Sequence, residues 1–450
     1  MNQETDAGQQ RGQLTRMLGT WDLTQIVVGT VIGSGIFIVP ATVLRQSGEW
    51  VGPALIVWFV GGVLSLLGAL TYGELGAMNP KAGGLYVYVR DTFGAAPGFL
   101  YGWTMFFAIS SGSIATLAVA ASGYLQQLVP LSPAMQKVAS LTMIAVVAVI
   151  NVRGTRQSAN VQNWATVLKA GAIVVMSVVL LGWGKGLSGV TQHMWPESYS
   201  LDLLSGAGLA MIGVLWTYEG WQYVTFSAGE ALEPQRTFPR AIIYGTAGLI
   251  ALYLLAVVAY VAALGPAGAA ASDRVAADAV RQVVGPRSAK LIAAAIVISM
   301  FSAANGITLT APRVYFAMAR DGLFFRRLAE IHPRFGTPAT AVTWSCVWAA
   351  VLALSGTFEQ LLTYVVFAGW VFYGLGAVSV FVYRRTHPDL PRPFKVPGYP
   401  VTPILFILSA LAIVGNTFVV QPVQGVLGLG VVLSGVPAYL VWRKKAGRGQ

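Results

Sequence analysis

Twelve stretches of about twenty mainly apolar residues follow one another along this chain of 450 residues. A helix that crosses about 30 Å of hydrocarbon needs about twenty apolar residues, so each stretch is long enough to cross a bilayer. Apolar side chains occur all round each helix, which predicts spans rather than amphipathic surface helices. The predicted spans are residues 21–45, 52–77, 98–128, 133–151, 159–183, 205–231, 239–264, 289–318, 339–355, 358–382, 402–420 and 424–442.

The small number of charged residues supports this interpretation. The 29 Lys and Arg and 17 Asp and Glu residues make up 10% of the chain, whereas a soluble domain carries roughly 25%. So few charges cannot cover a water-facing surface of this size, which excludes a soluble enzyme, a nucleic-acid-binding protein and a disordered protein. The expected fold class is an all-α integral membrane protein with twelve transmembrane helices.

The distribution of positive charge predicts the orientation of the spans. With the N-terminus in the cytoplasm, 21 of the 29 Lys and Arg residues fall in inner loops and tails, 7 fall in outer loops, and one, Lys169, lies within a span. This excess predicts that both termini are cytoplasmic. The basic residues then face the anionic inner leaflet, so the net positive charge does not indicate a nucleic-acid partner. Residues 1–13 contain no apolar signal peptide, so we expect the first span to direct insertion.

Two spans contain glycine clusters beside polar residues near their middle. Gly33-Ser34-Gly35 interrupts the first span, and Glu219-Gly220 interrupts the sixth. These are the first spans of two five-span sets, and an odd number of spans per set inverts the second set relative to the first. Interrupted helices at matching positions of inverted repeats predict a midplane substrate site in a secondary transporter. The expected organisation is a cytoplasmic tail over 1–20, a five-helix repeat over 21–183, an inverted repeat over 205–382, two further helices over 402–442 and a cytoplasmic tail over 443–450.

An interrupted helix leaves free backbone groups that lipid cannot satisfy, so a polar partner is expected at each break. The N–H groups at the start of a half-helix suit a carboxylate, and the carbonyl groups at the end of one suit an ammonium or a metal ion. A pair of interrupted helices therefore suits a zwitterion. The alternative is that the glycines only allow neighbouring helices to pack closely.

Two ionisable residues lie deep within the predicted spans. Lys169 is about ten residues into the fifth span, roughly 15 Å deep, where a lysine costs about 2.5–3.5 kcal/mol on insertion scales. We expect it to replace a bound sodium ion by bridging the broken first helix to a neighbour; the alternative is a lysine that reaches an aqueous cavity without a specific role. Glu219 lies in the break of the sixth span. Binding a substrate ammonium, carrying a coupled proton and hydrogen-bonding the loose backbone are all open roles for it.

Other polar residues in the spans have structural explanations. Glu74 and Glu230 lie toward cytoplasmic ends, where we expect ion pairs with nearby loop arginines. The only cysteine, Cys346, sits in an apolar stretch and excludes an intrachain disulfide. The sequence contains no metal-ligand spacing, phosphate-binding loop or nucleophile motif, so no enzyme activity, cofactor or metal site is expected.

Four longer motifs resemble those of a known family. The chain is similar to bacterial amino-acid permeases of the amino acid–polyamine–organocation (APC) superfamily, and most similar to its L-type amino-acid transporter (LAT) branch. The resemblance covers most of the chain. It rests on Gly33-Ser-Gly-Ile-Phe37, Leu70-Thr-Tyr-Gly-Glu-Leu-Gly-Ala-Met-Asn-Pro-Lys-Ala-Gly-Gly84, Gly229-Glu-Ala-Leu-Glu-Pro-Gln-Arg-Thr-Phe-Pro-Arg-Ala-Ile242 and Arg313-Val-Tyr-Phe-Ala-Met-Ala-Arg-Asp-Gly322.

This resemblance implies the LeuT-like fold, with an inverted 5+5 repeat, broken helices 1 and 6 and two C-terminal helices. It also implies alternating access to a central L-amino-acid site. Lys169 matches a lysine that the family uses in place of sodium, and Tyr253 resembles a tyrosine near the cytoplasmic gate. The residues that match the family's substrate contacts are Ile32, Gly33, Ser34, Gly35, Ile36, Tyr218, Glu219, Gly220 and Trp221, and those expected to face Lys169 are Ser302 and Asn305.

The sequence and the resemblance together predict a sodium-independent transporter of L-amino acids in the cytoplasmic (inner) membrane, working by exchange or by proton-coupled uptake. Glu219 stands where many relatives have a small or neutral residue, so a polyamine or cationic amino-acid permease is the alternative. A transport-like amino-acid sensor is a further alternative, which we expect to carry a longer tail than the eight residues after Trp442. Vertebrate members attach to a single-span glycoprotein through an outer-loop cysteine. Because Cys346 is predicted within span nine, no disulfide-linked heavy subunit is expected.

Overall fold

The computed structural model describes residues 14–186, 190–355, 358–420 and 422–446, so residues 1–13 and 447–450 of the two predicted tails lie outside the described residues. In these ranges the chain is built from helices. They are α1 Thr20–Val31, α2 Gly35–Gln46, α3 Val51–Met78, α4 Leu85–Phe93, α5 Ala95–Thr104, α6 Ser110–Leu125, α7 Pro133–Arg153, α8 Thr155–Trp183, α9 Leu201–Thr217, α10 Pro234–Ala271, α11 Val275–Val284, α12 Ser288–Thr310, α13 Pro312–Arg320, α14 Ala339–Ser355, α15 Phe358–Thr386, α16 Val401–Val420 and α17 Pro422–Ala446.

Each predicted span overlaps one helix or a run of successive helical segments, and the largest difference in bounds is at the end of α10, which reaches Ala271 where the prediction ends at 264. Ten helical runs in the described chain are long and apolar enough to cross a bilayer, and α1 with α2 forms a bent pair that makes up to eleven. Helix α14 is a shorter apolar helix of 17 residues, about 25 Å long at 1.5 Å per residue. The protein is therefore an all-helical, multi-pass membrane protein, as the sequence predicts.

Two short helices lie where the sequence analysis expected only connections. Helix α4 follows the second span, and five consecutive residues from Leu85 are buried. Helix α11 buries Val275, Ala276, Ala279 and Val280. That spacing puts the apolar residues of α11 on one stripe, while Asp278 and Arg281 form an ion pair on the helix surface. Both helices are too short to be spans, so a search for apolar runs does not find them.

Helix α1 lies at the centre of the bundle. It packs against α8, α10, α12 and the segment that follows α9. A Cβ atom at Gly29 would collide with the Gln162 and Thr166 side chains of α8. Glycine at this position therefore allows the two backbones to approach closely, and side chains of α8 reach the carbonyl groups of α1.

The third predicted span is not a continuous α-helix. Met105–Ile109 between α5 and α6 is a π-helical segment. The Met105 carbonyl accepts hydrogen bonds from the Ser110 hydroxyl at 2.9 Å and from the Tyr315 hydroxyl at 3.1 Å. Such π-helical turns are frequent at functional sites. Helix α6, which begins after this segment, faces the cavity described below.

A buried ion pair joins the segment that follows α9 to α13. Arg313 donates to both carboxylate oxygens of Glu230, at 2.6 and 2.9 Å, and both side chains are 1% exposed. Thr155, at the start of α8, donates to the same carboxylate at 2.9 Å. The expected ion pair of Glu230 is confirmed, although its arginine lies in a helix and not in a loop.

The segment before α1 closes over the same end of the bundle. The Met17 and Leu18 N–H groups donate to the Glu230 carbonyl at 2.8 and 2.9 Å, and the Leu232 N–H group donates to the Leu18 carbonyl at 2.8 Å. Arg156 at the start of α8 holds Asp22 of α1 through two bonds of 2.8 Å. This end of α1 is thus tied to its neighbours by backbone bonds and charge pairs.

Glu74 forms a second ion pair at this end of the bundle. Its carboxylate is fully buried and accepts hydrogen bonds from Arg384 at 2.8 and 2.6 Å. The Val396 N–H group also donates to it, at 2.7 Å. The ion pair expected for Glu74 is confirmed, and it links α3 and α15 to the connection before α16.

We expect Arg313→Gln to destabilise the protein strongly, because it leaves the Glu230 carboxylate buried without its cation. Breaking a buried pair in this way costs about 3–5 kcal/mol. The measurement is thermal unfolding of the purified protein in detergent. Arg240→Gln is the control, since Arg240 is exposed. Equal unfolding temperatures for the two variants would contradict the structural role given to this pair.

Candidate functional site

The first break lies between α1 and α2, which meet at an angle of 50°. Helix α1 ends at Val31, and α2 begins at Gly35. The N–H groups of Gly33, Ser34 and Ile36 donate to no backbone carbonyl within the described chain. They are the free donors at the start of α2, and such groups favour an anion.

The Lys169 side chain holds the end of α1. Its Nζ atom donates to the Gly29 carbonyl at 2.6 Å and to the Ile32 carbonyl at 2.7 Å, and it lies 3.4 Å from the Ser299 carbonyl on α12. Lys169 is only 2% exposed. The amino group therefore satisfies carbonyl groups that the break in the helix leaves without partners, and it joins α1, α8 and α12.

Two hydroxyl groups also donate hydrogen bonds to the backbone carbonyl groups at this break. Ser299 Oγ donates to the Ile32 carbonyl at 3.0 Å and to the Gly33 carbonyl at 3.3 Å. Tyr253 on α10 donates to the Val31 carbonyl at 3.2 Å. The carbonyl groups of residues 31–33 are thus held from two sides, which fixes the angle at which the chain enters α2.

The second break follows α9, which ends at Thr217. After it, Gly220 adopts φ +128°, and Trp221–Glu230 continues as a 3₁₀-helix. The Thr30 hydroxyl of α1 donates to the Gly220 carbonyl at 2.9 Å. A Cβ atom on Gly220 would lie 3.0 Å from the Thr30 backbone, so glycine is needed both for the positive φ and for this close approach. The two breaks are therefore in direct contact.

A cavity of ≈ 90 Å³ lies where the two breaks meet. Its walls come from both breaks, from α6 and from α12. Two half-helix ends face it, the start of α2 with free N–H groups and the end of α9, where C-terminal carbonyl groups lie. The lining residues are Thr30, Val31, Gly33, Ser34, Gly35, Ser113, Thr116, Leu117, Trp216, Thr217, Glu219, Gly220, Tyr223, Ala303 and Ile307.

Glu219 brings a carboxylate to this cavity. Its Oε1 atom accepts a hydrogen bond from the Tyr373 hydroxyl of α15 at 2.9 Å. Its Oε2 atom is buried and has no hydrogen-bond partner among the described residues. The loose backbone at Gly220 is satisfied by another group, since its N–H donates to Gln222 Oε1 at 3.0 Å. Glu219 therefore keeps one oxygen free for a group that enters the cavity.

The structure brings together only part of the predicted set. Gly33, Ser34, Gly35, Glu219 and Gly220 line the cavity, whereas four of the predicted binding residues do not. Of these, the Ile32 carbonyl is taken by Lys169 and Ser299. The other three, Ile36, Tyr218 and Trp221, are buried in the surrounding core, with Tyr218 against Trp58 and Trp221 against Tyr72.

The residues predicted beside Lys169 lie elsewhere. Asn305 belongs to a separate polar network, in which it accepts from Asn151 at 2.9 Å and donates to Gln162 at 3.0 Å. The Ser302 hydroxyl is buried and has no hydrogen-bond partner among the described residues. Tyr253 does not line the cavity and packs against Trp58 and Tyr218. None of these three residues lines the cavity.

Sequence reasoning missed Ser299, which fills the position beside Lys169 that was expected of Ser302. Serine is common in transmembrane helices, and the two positions are less than one turn apart. It also missed Tyr373 as the partner of Glu219. No sequence pattern links α9 to α15, so only the packed structure reveals this pair.

Multiple spans, two broken helices in contact and a small cavity between them are the features of a membrane transporter. Comparisons with known proteins agree. Residues 18–436 match the family described as amino acid permease. The chain is 31% identical to the serine/threonine exchanger SteT of Bacillus subtilis, over 96% of this chain and 98% of that protein. The chain belongs to the amino acid permease family, and it is a transporter, not an enzyme.

Vertebrate members of the family are similar to the same extent. The chain is 31% identical to the large neutral amino acids transporter small subunit 2 of Homo sapiens, over 98% of this chain and 85% of that protein. It is 32% identical to the human cystine/glutamate transporter, over 97% of this chain and 88% of that protein. The resemblance to LAT-type transporters is thereby confirmed.

We expect Lys169→Ala to lower transport by about tenfold or more, because the buried Gly29 carbonyl loses its donor, at a cost of about 1–3 kcal/mol, and the Ile32 carbonyl keeps only Ser299. The measurement is substrate uptake by reconstituted protein, with thermal unfolding to show that the variant folds. Lys137→Ala, on the exposed start of α7, is the control. Unchanged uptake by Lys169→Ala would mean that the amino group is not needed to hold the break.

Proposed function

We propose that the protein is a secondary active transporter that moves L-amino acids across the cytoplasmic membrane by alternating access. The observation that carries this proposal is the pair of half-helix ends at one cavity. The free N–H groups of Gly33 and Ser34, which line the cavity, suit the α-carboxylate. The C-terminal end of α9 and the Glu219 carboxylate suit the α-ammonium. Family membership supports the same substrate class.

The proposed topology has twelve spans in two inverted five-helix repeats, followed by two helices. The repeats cover 21–183 and 205–382, and the further helices cover 402–442. This arrangement accounts for the contact between the breaks, because the first helix of each repeat is then the interrupted one. The charge excess at inner loops supports cytoplasmic tails over 1–20 and 443–450.

Sodium independence follows from the position of Lys169. Its amino group lies 2.6 and 2.7 Å from two carbonyl oxygens of α1, the kind of ligand that a sodium ion would otherwise use. Because the amino group already contacts these carbonyl oxygens, it occupies the position that the ion would need. Transport is then driven either by substrate exchange or by proton-coupled uptake. The similarity to SteT, a serine/threonine exchanger, favours exchange.

A cationic amino acid or a polyamine is a second candidate substrate, and Glu219 is the observation that favours it. Its Oε2 atom is buried, unpartnered and beside the cavity. A side-chain ammonium group that reached this oxygen would form a charge-assisted hydrogen bond. The same oxygen would instead carry the proton if uptake is proton-coupled.

No disulfide-linked partner subunit is proposed. Cys346 is the only cysteine of the sequence, and it is buried within α14. A buried thiol in a predicted span cannot reach a cysteine of another chain.

Uptake of labelled amino acids into vesicles tests the proposal. We expect Glu219→Gln to reduce uptake of arginine relative to serine if Glu219 binds a side-chain ammonium, and to remove stimulation by an acidic exterior if it carries a proton. Uptake is measured with and without unlabelled amino acid inside, at two external pH values. If the protein is an exchanger, labelled amino acid enters only when the vesicles contain unlabelled amino acid. Absence of uptake for every amino acid and polyamine would contradict the proposed function.

A second prediction concerns the glycines of the first break. A Cβ atom on Gly33 would have Leu117 as its nearest side chain, at 3.8 Å, and both residues line the cavity. Gly33→Ala should therefore fold normally and bind substrate about tenfold or more weakly, because the methyl group occupies part of a ≈ 90 Å³ space.

Two matched variants make this result specific. A Cβ atom on Gly35 would lie 2.7–2.8 Å from the Thr217 side chain, so Gly35→Ala should also lower the unfolding temperature. Gly123→Ala is the neutral control, since nothing lies within 4 Å of its Cβ position. Binding by Gly33→Ala equal to that of Gly123→Ala would argue against the site.

A further inference from the structure

A second concave feature lies on the outer surface of the bundle, away from the substrate cavity. Its inner pocket, of ≈ 570 Å³, lies between the π-helical segment, the turn before α14 and α14 itself, and it is lined by Phe106, Phe107, Arg326, Arg327, Trp344 and Trp348. A neighbouring pocket of ≈ 320 Å³ shares Phe107 and Trp348 and adds Leu352 and Val431 of α17. Together we call these two pockets the surface groove.

The walls of the surface groove face outward and are apolar. Trp344 is 56% exposed and Val347 is 47% exposed. No part of the described chain covers them, and both lie on a helix that is apolar along its length. In a multi-pass membrane protein, a surface of this kind is covered by lipid. The aromatic rings form a concave wall, whereas contact with bulk lipid requires only a flat apolar surface.

Two arginines stand at the mouth of the groove. Arg326 and Arg327 lie in the 3₁₀ turn between α13 and α14, and both are exposed. Neither side chain forms a hydrogen bond or an ion pair with the residues that the structure describes. Arginine binds phosphate oxygens through a planar pair of N–H donors, so the mouth suits a phosphate group.

The depth of the groove suits an acyl chain. Trp344, Trp348 and Leu352 lie five, nine and thirteen residues into α14, which begins at Ala339 and packs against the turn that carries the arginines. At 1.5 Å per residue these positions are roughly 8, 14 and 20 Å from the start of the helix. A charged mouth near the membrane surface and an apolar slot of this length match one lipid molecule.

We propose that the surface groove binds one anionic phospholipid. Its phosphate lies between Arg326 and Arg327, and one acyl chain runs along Trp344 and Trp348 toward Leu352. The excess of basic residues in the connections on this side of the bundle predicts that the mouth faces the cytoplasmic leaflet, where anionic lipid carries the matching negative charge.

The groove also contacts the helix that forms the substrate cavity. Phe106 and Phe107 belong to the π-helical segment, and the Trp348 indole N–H donates to the Phe107 carbonyl at 2.9 Å. Two turns further on, Ser113 and Thr116 line the substrate cavity. A lipid in the groove therefore packs against the irregular turn that positions this cavity wall, and we infer that its presence raises the transport rate.

Tryptophan quenching by brominated lipid tests binding without any transport. The protein is placed in vesicles of equal parts phosphatidylglycerol and phosphatidylcholine, with bromine on the chains of one lipid or of the other. The signal from the groove is the difference between the protein and its Trp344→Phe/Trp348→Phe variant, since the chain holds 13 tryptophans. We expect brominated phosphatidylglycerol to quench this signal more than brominated phosphatidylcholine.

Variants of the two arginines distinguish specific lipid binding from a general attraction of positive charge to the membrane. Arg326→Gln/Arg327→Gln should lower the preference for phosphatidylglycerol by about fivefold for each arginine removed, from about 1 kcal/mol for each arginine near an anionic surface. Arg236→Gln/Arg240→Gln removes the same charge from the start of α10 and should keep the preference. Equal quenching by the two lipids in the unmodified protein, or a preference that survives Arg326→Gln/Arg327→Gln, would overturn the proposal.

Transport measured in the same vesicles tests the functional consequence separately. Uptake should rise when phosphatidylglycerol is added to phosphatidylcholine, and Arg326→Gln/Arg327→Gln should lose this rise while Arg236→Gln/Arg240→Gln keeps it. A rise that is equal in both variants would overturn the link to transport. Because quenching is independent of substrate, a failure of the proposed amino-acid transport leaves the lipid-binding result interpretable.

Discussion

The hydrogen bonds from Lys169 to the carbonyl groups of Gly29 and Ile32 are the interaction on which the rest of the site depends. A helix that stops in the middle of a membrane leaves carbonyl groups with no water to satisfy them. The buried amino group supplies two of the missing donors at 2.6 and 2.7 Å. Because these carbonyls are satisfied by a side chain, the chain can turn by 50° and start α2 with its N–H groups free.

The second break depends on the first. Thr30 lies in the last turn of α1, and its hydroxyl holds the Gly220 carbonyl at 2.9 Å. The position of the 3₁₀-helix that follows is therefore linked to the end of α1, and its far end is linked to α13 through Glu230 and Arg313. A change at the cavity can thus be transmitted through one continuous set of contacts to the end of the bundle where Met17 and Leu18 pair with Glu230.

The sequence predicted the spans and both breaks because their causes are local. Apolar length sets a span, and glycine with polar neighbours marks a break, as at Gly33 and Gly220. It did not predict the 3₁₀-helix after Gly220 or the π-helical turn at Met105, because both arise from packing between distant helices. It identified Lys169 as the residue that bridges the broken first helix to a neighbour, but chose Ser302 where Ser299 makes the contact. Which of two serines on one helix faces a neighbour depends on helix rotation, and a sequence without its fold does not supply that angle.

The proposed function depends on a zwitterion that is held at one end by the free N–H groups at the start of α2 and at the other by the end of α9 and the Glu219 carboxylate. The most direct measurement is the affinity of the purified protein for the L-amino acid that it transports fastest, together with the matching amine without the carboxylate and the matching acid without the ammonium. Each charged hydrogen-bonded end contributes about 1.5–3 kcal/mol. We expect both analogues to bind about tenfold or more weakly than the amino acid. An analogue that bound as tightly as the amino acid would contradict the assignment of the half-helix end that should hold the missing group.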